Sequence, residues 1–125
     1  MNVLLPAEIL TILVGVEHLG IMALEMFASP AKQAAAFGLP EAYTKQKEAR
    51  GAMANQGIYN GMLGLLLVAT NWLFDFPERL QVWALLLLFV VVVAFYGGLT
   101  VGKKVWLMQM LPALLAEVLV VAVLI

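Results

Sequence analysis

Two ionisable residues stand side by side in an apolar run, Glu17 and His18, and Glu25 follows two helical turns later. A charged group at bilayer depth costs roughly 2.5–3.5 kcal/mol on insertion scales, so such residues mark an interior surface, a polar cavity or a proton path. Their chemistry is acid–base. An imidazole with an ordinary pKa near 6.5 and a carboxyl group can pass protons, hold a cation or orient a ligand without a metal or a covalent nucleophile. Helical geometry puts His18 and Glu25 on one stripe, while Glu17 is turned about 100° from His18 and about 80° from Glu25. His18, Glu25 and Glu17 are therefore the candidate catalytic residues.

A second polar set completes the constellation. Asn55 with Tyr59, and Gln56 with Asn60, are i, i+4 pairs on adjoining rows of one helix. Tyr96, Thr100 and Gln109 are the polar residues offered by the two later helices, and the seven together are candidate ligand-binding residues. Each also has a plain reading as an interhelical hydrogen bond worth about 0.6 kcal/mol. His18 likewise reads as a neutral ring bonded to a neighbouring helix. The carboxyl groups resist such a reading, because no Lys or Arg lies within the apolar runs to pair with them. No metal site is expected: Glu17 and His18 diverge, His18 and Glu25 are about 10.5 Å apart in rise, and neither H-x-x-x-H nor E-x-x-H occurs. Haem and other cofactors are not expected either, and Ser29 has no base near it in sequence.

The elements that must carry these residues follow from composition. Of the 125 residues, 64% are hydrophobic and only 12% charged, and the mean hydropathy is +0.99. The chain reads as one all-α membrane domain, residues 1–125, with spans at about 3–26, 52–74, 80–100 and 105–125. Each is close to the ~20 residues that cross a ~30 Å hydrocarbon core. The fold expected is a four-helix transmembrane bundle with a short amphipathic cytoplasmic helix between helices 1 and 2. The first run lacks a basic flank and a small-residue cleavage site, so it reads as a retained helix. The absence of cysteine removes disulfides, thiolate metal sites and cysteine nucleophiles. A net charge of −1 argues against nucleic acid.

Lys32, Lys45, Lys47 and Arg50 lie in the first connection and Lys103 and Lys104 in the third, against Arg79 alone in the second. The positive-inside rule then puts both termini outside a cell membrane, with residues 27–51 and 101–104 in the cytoplasm. In the first connection Ser29 is a helix cap before Pro30, Gly38 ends that helix, and Pro40 opens another that runs into helix 2. Trp72, Trp83 and Trp106 are expected at the membrane interface. Gly57 and Gly61, and Gly98 and Gly102, have the G-x-x-x-G spacing of close helix contacts, either within the monomer or across a homodimer.

With this topology Glu25, Asn55, Gln56, Tyr59, Asn60, Tyr96, Thr100 and Gln109 fall in the cytoplasmic third, and Glu17 and His18 near mid-membrane. The outer half is almost purely aliphatic apart from Glu8 and Glu117. The pattern describes a polar cup open to the cytoplasm rather than a continuous channel. Glu17-His18, Leu24 to Phe27, Phe37-Gly38-Leu39, the stretch Ala54 to Gly61 (A-N-Q-G-I-Y-N-G), Tyr96 to Val101, and Gln109 with Leu111-Pro112-Ala113 together resemble the small bacterial membrane family called domain of unknown function 1304. The resemblance covers nearly the whole chain and implies a four-helix membrane protein without a settled activity. Gly20 departs from it, standing where the family's E-H-L-Y form has an aromatic. Three functions stay open: a pocket for a small or amphipathic ligand with proton-transfer chemistry, proton- or cation-coupled transport of a small solute, and a non-catalytic assembly partner.

Overall fold

The computed structural model describes residues 2–125, and helix is the only regular structure among them. The order is α1 (Leu4–Phe27), α2 (Pro30–Phe37), α3 (Glu41–Thr44), α4 (Lys47–Leu73), α5 (Glu78–Thr100), then a π-helical turn (Trp106–Met110) continuing into α6 (Leu111–Leu124). Three helical stretches are long and apolar enough to cross a membrane: Leu4–Phe27, Glu78–Thr100 and Trp106–Leu124. The 27-residue α4 has the length, but Asn55, Gln56, Tyr59 and Asn60 make its first half polar.

Local chemistry explains the breaks. α1 ends at Ala28, which is extended with ψ 157°, and Ser29, which precedes a proline, is extended as well, ψ 156°. Its hydroxyl then accepts a bond from the Lys32 amide at 3.3 Å, opening α2. Gly38 closes α2 in the left-handed region, φ 66°, where a side chain would be strained. The Thr44 hydroxyl donates to the Pro30 carbonyl at 2.8 Å and ties α3 back onto α2. Contrary to expectation, the helix opened by Pro40 does not run into the next one: Gln46 is extended, ψ 138°, and α4 starts afresh at Lys47. Pro112 has no amide proton to continue a regular helix. The turn before it is π-helical, with the Leu111 amide reaching back to the Trp106 carbonyl.

α1 lies centrally, packed along α4 on one side and α6 on another, with α5 against α6. α4 and α5 meet only sparsely. The closed part of the interior holds Ala7 and Val14 of α1, Leu67 of α4, Leu80, Trp83, Leu87 and Val90 of α5, and Ala113, Ala116 and Val120 of α6. Trp83, expected at an interface, is instead completely buried, and its indole N–H donates to the Leu67 carbonyl at 2.8 Å. The buried positions of α5 recur at 80, 83, 87, 90, 94 and 98, and Trp83 falls on that stripe. Arg79, one turn earlier, has its guanidinium 5.4 Å from the Trp83 ring centre and pairs with Glu8 of α1.

Three glycines of α4 are filled against α1 within the monomer. A methyl on Gly57 would press on Met26 and Glu25, one on Gly61 on Met22, and one on Gly64 would lie 2.5 Å from the Gly15 carbonyl oxygen. At Gly98 the space is taken by the Trp106 ring, whose N–H donates to the Phe95 carbonyl at 3.0 Å. Gly57, Gly61 and Gly98 are thus covered by the chain itself.

Candidate functional site

Between the splayed α4 and α5 lies a cavity of about 1000 Å³, closed at the back by α1. Its floor is polar: His18 and Glu25 of α1, Asn55, Gln56, Tyr59 and Asn60 of α4, and Gln109 of the π turn. Further along α4 and α5 the lining turns apolar, with Leu63, Leu66, Leu85, Phe89 and Val93. Asn55, Gln56, Tyr59, Leu66, Leu85 and Phe89 are all exposed, so the cavity is a groove open along its side. The connection between α1 and α4 contributes Phe37, Leu39 and Tyr43 at the polar end.

The glycine row makes this site possible. Because Gly57 faces Glu25 and Gly64 faces His18, α4 approaches α1 at both residues. Asn60, one turn beyond Gly57, then donates its amide to Glu25 Oε2 at 2.8 Å. Glu25 is held in place by this bond while its other oxygen, Oε1, has no partner among the described residues. At His18 the carbonyl of Val14 lies 2.8 Å from Nδ1. A carbonyl only accepts, so Nδ1 carries the proton there, and in the neutral ring the far nitrogen, Nε2, is the acceptor. His18 and Glu25 are both almost fully buried, and both face the groove.

Three sequence candidates fall outside it. Glu17 is half-buried and does not line the cavity, in keeping with its turn away from the His18 stripe. Tyr96 is 67% exposed, and the Thr100 hydroxyl donates to the Tyr96 carbonyl at 3.0 Å on the outer surface. The reason is phase: Ala94 and Gly98 are the inward positions of this turn, so Tyr96, midway between them, points outward and Thr100 follows it. Gly20 faces open space and does not shape the groove. Glu117 is half-buried, with Oε2 enclosed and unpartnered among the described residues. Those residues contain no group of three or more His, Asp or Glu placed to hold a metal ion.

Sequence reasoning passed over Gln33. Its side chain is 1% exposed, and its amide donates to the carbonyls of Leu24 and Glu25 at 3.1 and 3.0 Å. It satisfies the open end of α1 and fixes the turn that carries Glu25. Its signal was weak, a lone glutamine in an alanine-rich helix. The Phe37-Gly38-Leu39 triplet was visible as a motif, but its place over the groove was not.

The family described as "Protein of unknown function (DUF1304)" matches residues 12–121. The uncharacterized protein YpaA of Lactococcus lactis subsp. lactis (strain IL1403) is 38% identical to this chain over 109 residues, covering 86% of this chain and 90% of that protein. No solved structure matches the chain.

Proposed function

This chain belongs to the DUF1304 family, and we propose that it is a membrane-embedded binding protein that takes an amphipathic ligand sideways from the bilayer into the groove between α4 and α5. One observation carries this reading: a single cavity of about 1000 Å³ that is polar at one end, apolar at the other and open along its flank. A cavity of that size suits a lipid-like molecule better than an ion. Loose contact between α4 and α5 supports lateral access, and the close packing around Trp83 and Leu87 supports a blind far end rather than a through path.

In the same reading α4 is the fourth span. The first and third connections face the cytoplasm, where Lys32, Lys45, Lys47, Arg50, Lys103 and Lys104 lie. Glu25 and the polar residues of α4 then lie toward the headgroups of the inner leaflet, with His18 about 10.5 Å deeper along α1. His18 Nε2 and Glu25 Oε1 are the groups that would exchange a proton with a bound headgroup. They are seven residues apart, about 10.5 Å along α1, so such a transfer runs through the ligand or water rather than directly.

The test uses a photoreactive dodecyl alcohol with the purified full-length protein in lipid nanodiscs. Saturable labelling within residues 62–66 and 85–93, suppressed by unlabelled alcohol and lost in Leu66→Trp, is the expected result. Labelling spread evenly over all lipid-facing helices and insensitive to competitor would overturn it.

A further inference from the structure

The polar end of the groove also carries information about the charge of what it binds. Two acceptors face it unsatisfied among the described residues: Glu25 Oε1, since Asn60 occupies only Oε2, and His18 Nε2, since Nδ1 is committed to Val14. The rest of the floor is amide and phenol, and its one carboxyl group is that of Glu25. None of the seven basic residues lines the groove, and Lys104 lines an adjoining cavity of about 280 Å³ that shares Phe37, Val101, Val105 and Gln109 with it.

An anionic headgroup placed here would meet a carboxyl group with no cation to offset the loss of water. A headgroup that brings N–H donors and a positive charge matches the free oxygen of Glu25. Phe37, Tyr43 and Tyr59 line the same end and add aromatic surface of the kind that attracts cations.

We propose that the groove selects amphiphiles whose headgroup is a protonated primary amine, which donates to Glu25 Oε1 while the chain lies between α4 and α5. This rests on the reading of the groove as an amphiphile site and adds its charge preference. A quaternary ammonium has the charge without the N–H donors, and so ranks below the primary amine.

The experiment compares four unlabelled dodecyl chains as competitors of the photoreactive alcohol in nanodiscs of zwitterionic lipid: primary amine, trimethylammonium, alcohol and carboxylate. The amine is expected to compete at concentrations at least about tenfold lower than the alcohol, and the carboxylate to be the weakest. Glu25→Gln, which keeps an acceptor for Asn60, is expected to remove the amine's advantage, bringing its competing concentration to within about twofold of the alcohol's measured on the same variant. Equal competition by all four chains, or a carboxylate stronger than the amine, overturns the charge preference and leaves the groove standing. An advantage of the amine that survives Glu25→Gln overturns it as well. Loss of saturable labelling by the alcohol probe itself overturns the underlying reading of the groove. The ranking in the unaltered protein is decisive even if Glu25→Gln does not fold.

Discussion

At the scale of single residues the site depends on how few bonds fix each polar group. Glu25 has one side-chain partner, Asn60, and its backbone is held by Gln33. Replacing Asn60 by Ala removes a half-buried bond to a carboxyl oxygen. Stability should fall by about 0.6–1.5 kcal/mol, measured as the midpoint of thermal unfolding in nanodiscs. An unchanged midpoint would mean that this bond is not formed in the bilayer. His18 differs, because its bond goes to its own helix. That local bond fixes the ring without tying it to α4, and its free nitrogen stays available to a ligand. The two residues share a stripe, yet one is positioned by tertiary contact and the other by α1 alone.

At the scale of elements the decisive contact is α1 against α4, and it depends on the absence of side chains. A methyl at Gly64 would sit 2.5 Å from the Gly15 carbonyl oxygen and 3.0 Å from the Leu19 amide nitrogen, both backbone atoms that cannot swing aside. Gly64→Ala should therefore cost about 1–3 kcal/mol and push Asn60 away from Glu25. Gly20→Ala, with nothing within 4 Å, should be neutral or stabilise by up to about 1 kcal/mol through helix propensity. Parallel unfolding curves check the pair, and equal losses at both positions would contradict the packing described. The π turn before Pro112 is the other element that shapes the site. It carries Gln109, which lines the groove together with Val105 four residues earlier.

For the whole molecule, the proposed four-span arrangement makes a prediction about sidedness. The chain has no cysteine, so single substitutions report cleanly. Asp75→Cys, between α4 and α5, should react with a membrane-impermeant maleimide added to intact cells, and Lys45→Cys only after permeabilisation. The reverse pattern would invert the topology and put the polar floor in the outer leaflet. Composition alone determined that the chain is helical and apolar, because hydropathy and length are properties of the linear chain. The phase of α1 was also legible, since seven residues make nearly two whole turns whatever the surroundings, and this set His18 and Glu25 apart from Glu17. The caps at Ser29 and Gly38 were legible for the same reason: they act within a few residues. Which face of α5 turns inward was not, because that helix is apolar all round and its rotation is set by small neighbours on α6 and by Trp83 bonding to α4. Tyr96 and Thr100 were misplaced on that account. Only the tertiary structure decided that α4 and α5 stand apart. A groove comes from contacts that are not made, and no local pattern of residues encodes them.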